Sequence, residues 1–156
     1  MSNNFSIIAK YINSCKLKVT IVEKCCENDC KFIINSDIKP IILKGEKIFK
    51  QKKICDYIIF IDGDIIKFCL AELKSKTSHP SDIEAQLQNG ADVIQNILNI
   101  INITCLPQNF YPLVLHKGMN NNAWRLLVKI KINVAGRKVP IDIQRCGAKL
   151  KSVLEI

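Results

Sequence analysis

The sequence predicts one α/β domain over residues 1–156, with a mixed central β-sheet flanked by helices. Three observations predict it. Two neighbouring runs, Tyr57 to Ile61 and Ile65 to Leu73, are hydrophobic at successive positions, as strands are when both faces of a sheet are covered. A helical stripe follows, with Ile83, Leu87, Gly90, Ile94, Ile97 and Ile101 recurring at three- and four-residue spacing. The 156 residues are 48% hydrophobic and 24% charged, enough for one core, and no repeat, low-complexity tract or Pro/Gly/Ser linker divides them.

Phe5, Ile8, Ile12 and Cys15 share one helical face, and Asn3 or Asn4 can cap its start, so residues 4–15 read as a first helix. Lys18 to Val22, Phe32 to Ile34 and Ile41 to Leu43 are short β-prone runs among turn residues, with Pro40 as a break. Asp62-Gly63 signals a tight hairpin between the two strong strands. Ser81 with Glu84 forms a capping-box pattern for the following helix, which runs to about Ile101. Tyr111 to Leu115 reads as another strand. Beyond it, Leu126, Val128, Ile130, Ile132 and Val134 alternate with Arg125, Leu127, Lys129, Lys131 and Asn133. After Ala135-Gly136-Arg137-Lys138 a return strand places Val139, Ile141 and Ile143 inward, so the pattern predicts a half-buried C-terminal β-hairpin with a basic outer face.

Composition excludes several classes. No apolar run approaches the ~18 residues of a membrane-spanning helix. The first residues lack a basic lead, an apolar run and a small-residue cleavage site, so a signal peptide is not expected. On that basis the eight cysteines are expected to be reduced thiols and the chain cytoplasmic, with no membrane partner. No glycine-rich phosphate loop and no Ser/His/Asp order with a nucleophile elbow is present.

The net charge of +9 is unevenly distributed. Residues 1–53 carry 11 Lys/Arg against 5 Asp/Glu, residues 54–110 carry 3 against 7, and residues 111–156 carry 9 against 2. An acidic centre between basic flanks suits a cation site within a phosphate-binding surface, with nucleic acid as partner.

The candidate site follows from strand geometry. Asp56 opens the first strong strand, and Glu72-Leu73-Lys74 closes the second, with Glu72 and Lys74 on one face. An antiparallel return brings the Asp56 and Glu72 carboxylates together despite 15 intervening residues. With a backbone carbonyl such as that of Leu73, they make a hard-oxygen set suited to Mg²⁺ or Mn²⁺. Lys74 beside it can orient a water or stabilise charge on a phosphate. Asp/Glu-x-Lys also occurs at Asp29-Lys31 and Asp37-Lys39, but only Glu72-Lys74 ends a long apolar strand, follows a strand-initial Asp and precedes a helix.

Cys55-Asp56-Tyr57, the apolar strand, Ala71-Glu72-Leu73-Lys74-Ser75-Lys76 and the helix from Ser81 together resemble the PD-(D/E)xK superfamily, the restriction-endonuclease-like nucleases. The resemblance covers about residues 50–117 well and residues 1–49 loosely. It implies a restriction-endonuclease-like fold. It further implies a metal-dependent nuclease acting on DNA in preference to RNA, in a defence or DNA-processing system, as a homodimer or as the effector of a larger complex. Asp56 and Glu72 would hold metal and Lys74 would assist the nucleophile. Gln86 best matches a glutamine that several members carry on the following helix, with Gln88 pointing further towards solvent. An acidic residue on the first helix has no counterpart, since residues 4–15 contain no Asp or Glu; Glu23 or Glu27 is the available substitute.

Other residues carry weaker signals. Arg125, Lys129 and Lys131 form a basic row which, with Lys76 and Lys117, is placed to contact phosphates. Cys25, Cys26 and Cys30 lack a clean Cys-x-x-Cys pair and a convincing fourth ligand, with Cys15 or Cys55 as the available additions, so zinc is not expected. His79 could reach a phosphate from its turn but reads as a loop residue, and His116 as packing or solvated. Trp124 reads as a core anchor. The alternative to an enzyme is a non-catalytic nucleic-acid-binding module, or a protein-interaction subunit with an acidic partner, on the same fold.

Overall fold

The computed structural model describes residues 2–14, 21–45, 52–75 and 79–155. Helix α1 (Asn3–Asn13) is capped by Ser2, whose hydroxyl accepts from the Phe5 amide, and buries Phe5, Ile8 and Ile12. Strands β1 (Ile21–Val22), β2 (Cys25–Glu27), β3 (Cys30–Phe32), β4 (Ile41–Lys44), β5 (Tyr57–Ile61) and β6 (Lys67–Lys74) follow. Then come α2 (Pro80–Ile100), β7 (Phe110–His116), α3 (Asn121–Leu127), β8 (Lys131–Val134), β9 (Arg137–Pro140), β10 (Asp142–Arg145) and α4 (Leu150–Leu154).

The central sheet is mixed and has the order β1-β4-β5-β6-β7-β10. Neighbours from β1 to β6 are antiparallel, while β6–β7 and β7–β10 are parallel. All five residues of β5 are buried, as are the six central residues of β6. Ile58, Phe60 and Leu70 pack under α1, α2 and the β8–β9 hairpin; Tyr57, Ile59, Cys69 and Ala71 pack under the β2–β3 hairpin and α4. Both sheet faces are therefore covered, which explains the uninterrupted hydrophobicity.

The sequence expectations hold for α1, β4, β5, β6, α2 and β7 within a few residues. The Asp62-Gly63 turn is a wider connection, since β6 begins only at Lys67. The Ser81 capping box does not form: Pro80 takes the first helical turn, His79 becomes the cap residue without a side-chain cap bond, and Ser81 lies inside the helix.

The last third differs more. Residues 121–127 form α3, started by the Asn120 side chain, which accepts from the Ala123 amide at 2.8 Å. Ala123 and Leu127, four residues apart, face the core, while Leu126 and Val128 are exposed. Trp124 is 48% exposed and anchors no core. The hairpin is confined to β8 and β9 as a separate two-stranded sheet. Its return strand breaks after Pro140, which offers no N–H to a ladder. Beyond that break β10 joins the central sheet beside β7. Gln88 and Gln95 fasten the hairpin to α2: Gln88 accepts from the Asn133 amide at 2.8 Å, and Gln95 from the Ala135 amide at 2.9 Å.

The expectation of uniformly reduced cysteines is also corrected. Cys30 and Cys146 form a disulfide across 116 residues of sequence, joining β3 to the turn after β10. Cys25, Cys55 and Cys69 are free and buried. Cys26 is free and exposed, and Cys15 lies outside the described residues. Among the described residues, no helix is long and apolar enough to cross a membrane.

Candidate active site

The ladder between β5 and β6 closes with Tyr57 opposite Ala71. One step further Asp56 falls opposite Glu72, and side chains replace the backbone pairing. The Asp56 amide donates to Glu72 Oε2 at 3.1 Å, and the Leu73 amide donates to Asp56 Oδ2 at 2.8 Å. Each carboxylate thus satisfies a strand-end N–H and is held by it.

Glu72 is 1% exposed. Lys74 Nζ lies 2.6 Å from its Oε1. Gln86 reaches the same carboxylate from α2. With its amide nitrogen turned towards Glu72, the orientation the surrounding donors and acceptors require, it donates to Oε1 at 2.6 Å and to Oε2 at 3.1 Å. The Cys55 amide donates to the Gln86 carbonyl at 3.0 Å, pinning this turn of the helix to the strand entry. Gly90, one turn later, permits the close approach, since a Cβ there would lie 2.6 Å from Cys55 Sγ.

Burial pushes the Glu72 carboxyl up to about 7, and the Asp56 charge adds to this; Lys74 and the Asp56 amide pull the other way. Burial also raises Asp56, against its bond from the Leu73 amide, and the Glu27 charge contributes in the same direction.

A cleft of about 550 Å³ opens beyond this cluster, at the carboxyl ends of β6 and β7. Its acids are Glu27, Asp29 and Asp56, and its bases are Lys74 and Lys117. The β2–β3 hairpin supplies Glu27 and Asp29, with Asn28 between them at φ 52°, a turn conformation asparagine tolerates. Tyr57 anchors that hairpin. Its hydroxyl lies 2.9 Å from the Cys26 carbonyl and 3.0 Å from Glu27 Oε1, and accepts from the Cys26 amide at 3.1 Å. Lys44 also approaches Glu27, at 3.8 Å, and Lys117 pairs with Asp29 at 3.3 Å.

The donor chemistry suits a divalent cation: Asp56 and Glu27 present hard oxygens to one cleft, with Leu73 in its wall and Glu72 behind. Burial is the larger cause of both raised carboxyl values, and a neighbouring carboxylate charge adds to each, Glu27 at Asp56 and Asp56 at Glu72. The arrangement is not closed around one point. Among the described residues no three His, Cys, Asp or Glu side chains form a metal-holding group, and both Glu72 oxygens are hydrogen-bonded.

Asp56, Glu72, Lys74 and Gln86 are therefore in one cluster, with Leu73 and Lys117 in the adjoining wall. Lys76 lies outside the described residues. Arg125, Lys129 and Lys131 do not form a row on one strand: Arg125 is on α3, Lys129 is in the turn after it, and Lys131 begins β8. None of the three lines the cleft. The hairpin's exposed bases are instead Lys131, Arg137 and Lys138. Of the two substitutes for a first-helix acid, Glu27 lines the cleft and Glu23 does not. Asp29 is not legible as a site residue because it sits in the turn between two three-residue strands, which carry no periodic signal, and the tie from Tyr57 to that hairpin is a contact distant in sequence. Compared with known protein families, characterised proteins and solved structures, the chain matches none.

Proposed function

We propose that this protein is a metal-dependent nuclease that hydrolyses phosphodiester bonds of DNA, on a fold of the restriction-endonuclease-like type. The observation that carries this reading is the Asp56–Glu72–Lys74 cluster. Two carboxylates from paired strand ends stand with a lysine two residues on, Gln86 of the next helix bonds the Glu72 carboxylate, and the adjoining cleft adds one further base, Lys117. The element order around it supports the same reading: helix, antiparallel strands, Asp strand, Glu-x-Lys strand, helix, parallel strand.

Asp56 and Glu72, with the Leu73 carbonyl, would hold Mg²⁺ or Mn²⁺, and Glu27 is the further carboxylate facing the same cleft. The ion would supply Lewis-acid polarisation of the phosphate and a lowered pKa for water. Lys74, which lines the cleft and is fixed by its pairing with Glu72 behind, would orient the attacking water and offset negative charge developing on the phosphate. Gln86 holds the Glu72 carboxylate in place against the strand end. Lys117 attracts the phosphate backbone from the rim.

The test is cleavage of duplex DNA, single-stranded DNA and RNA with Mg²⁺, Mn²⁺ or chelator, beside Glu72→Ala. Metal-dependent cutting of DNA that the variant loses while keeping its fold supports the assignment. Undiminished cutting by the variant sinks it. Salt-sensitive binding by both proteins without cutting would favour a non-catalytic nucleic-acid-binding module.

A further inference from the structure

A second, smaller cavity of about 290 Å³ adjoins the catalytic cleft. The two share Asp29 and Lys117, whose ion pair stands as a partition between them. Beyond the partition the walls carry Lys31, His116 and Arg145, with Cys146 and Gly147. We propose that this cavity is a second phosphate subsite, in which Lys31 and Arg145 hold a backbone phosphate of DNA flanking the one at Lys74. The inference deepens the nuclease reading and rests on it for its place in the reaction.

Register aligns the two compartments. Lys74, His116 and Arg145 are direct neighbours across the parallel strands β6, β7 and β10. Strand separation of about 4.8 Å therefore puts Arg145 roughly 10 Å from Lys74 along one line of strand ends. The carboxyl ends of parallel strands are where open α/β sheets bind ligands. A chain of phosphates crossing that line meets Lys74, then Lys117, then Arg145.

The cavity's frame is built rather than incidental. Lys31 and Arg145 are each adjacent in sequence to a half-cystine of the Cys30–Cys146 bridge, whose Cα atoms lie 5.0 Å apart. The Gly147 amide donates to the Lys31 carbonyl at 2.7 Å, and the Cys146 amide donates to the His116 carbonyl at 2.9 Å. Gly147 adopts φ 93°, a conformation that favours glycine, and so lets the chain turn sharply into these bonds. Three separate segments are thereby fixed at one place with their basic side chains outward.

Charge and size choose the ligand. Among the described residues neither Lys31 nor Arg145 forms an ion pair, while the cavity's acid, Asp29, is engaged by Lys117. The pocket lies at the small end of ligand sites, suited to a phosphate rather than a base pair. Burial and the Arg145 charge both hold His116 below its ordinary value, so near neutrality the ring leaves the positive charge to Arg145 and Lys31. Arg145, with its planar fork of donors, is the residue expected to make the bidentate contact.

The experiment compares wild type, Lys31→Ala/Arg145→Ala and a charge-matched control, Arg137→Ala/Lys138→Ala, on the exposed hairpin. Binding of a labelled DNA duplex is measured in chelator across a salt series, so this readout does not need catalysis. We expect the first variant to bind about tenfold more weakly and its salt slope to fall by about one, roughly 0.9 for the one phosphate that is no longer neutralised. The control should match wild type. Where cleavage is active, the same variant should raise KM on DNA and leave hydrolysis of bis(p-nitrophenyl) phosphate, which is too short to span both sites, unchanged. Unaltered affinity and slope, or equal losses in the control, would overturn the subsite. Absence of cleavage by wild type would overturn the nuclease reading alone, because the binding comparison stands apart from it.

Discussion

Asp56 and Glu72 exchange side-chain-to-backbone hydrogen bonds across the end of the β5–β6 ladder. The Glu72 carboxylate receives the Asp56 amide, and the Asp56 carboxylate receives the Leu73 amide. The two acids are thus positioned by the strands they terminate, which are the most deeply buried in the sheet. A site on such a frame needs no loop to order it. Holding the two acids this way buries them beside other carboxylates, and both their carboxyl values are raised in consequence.

The frame depends on Gly45. Its amide donates to the Asp56 carbonyl at 2.8 Å, and a Cβ at this position would lie 1.7 Å from the Cys55 carbonyl oxygen. The obstacle is backbone, so no rotamer change can relieve it. Gly45→Ala should destabilise by about 3 kcal/mol or more, as severe overpacking does, and should displace Asp56. Chemical denaturation would register the loss of stability; a midpoint equal to wild type would show that the strand can shift freely there.

Tyr57 links the sheet to the hairpin that carries Glu27 and Asp29. Tyr57→Phe keeps the ring in its buried place and removes the hydroxyl shared by the Cys26 backbone and Glu27. The expected cost is about 1 kcal/mol in global stability. Amide exchange should quicken in residues 25–32 more than in β5 or β6. Equal protection of the hairpin in both proteins would mean that apolar packing alone holds it.

How far the sequence discloses this arrangement varies with the physics of each element. β5 and β6 are legible because two covered faces demand an unbroken apolar run, and the pairing of Asp56 with Glu72 follows from antiparallel return alone. Gln86 is legible because its position on the stripe turns it inward, where it meets Glu72. The stretch 125–134 misleads only in its first part, where the apolar alternation runs through residues 125–127 that the Asn120 cap commits to helix, while residues 131–134 form strand β8. Pro80 overrides the Ser81 capping pattern through its own fit to the first turn. The β2–β3 hairpin and the Cys30–Cys146 bridge are non-local: eight cysteines admit many pairings, and tertiary proximity alone selects one.

That bridge closes a long loop, so its loss should be costly. Cys30→Ser/Cys146→Ser, or wild type in dithiothreitol, should lose up to about 4–5 kcal/mol by the chain-entropy account of a loop this long. The two samples should melt together, because each lacks only this crosslink. A variant as stable as the oxidised protein would show that the hydrogen bonds from the Gly147 amide to the Lys31 carbonyl and from the Ile33 amide to the Ala148 carbonyl suffice. In that event, the phosphate subsite would keep its geometry without the disulfide.

Glu72 gives the protein a distinctive pH dependence. Its carboxyl is held near 7 in the fold, above the ordinary 4.5, so the folded state binds a proton more readily than the unfolded chain. Its contribution is fully present below pH 4.5 and is lost as pH rises through 7. Asp56, also raised, acts in the same sense; Asp37 and Asp62, held low by Lys151 and Ser2, act oppositely and only in acid. In chelator, urea midpoints should therefore fall between pH 5 and pH 8. Glu72→Gln, which cannot ionise, should flatten that slope, and its midpoint should exceed wild type at pH 8. Mg²⁺ should restore wild-type stability at pH 8 by supplying the missing positive charge, and should do little for the variant. A wild-type slope unchanged by the substitution would place the titration elsewhere, and a midpoint at pH 8 indifferent to Mg²⁺ and Mn²⁺ would count directly against the proposed cation site.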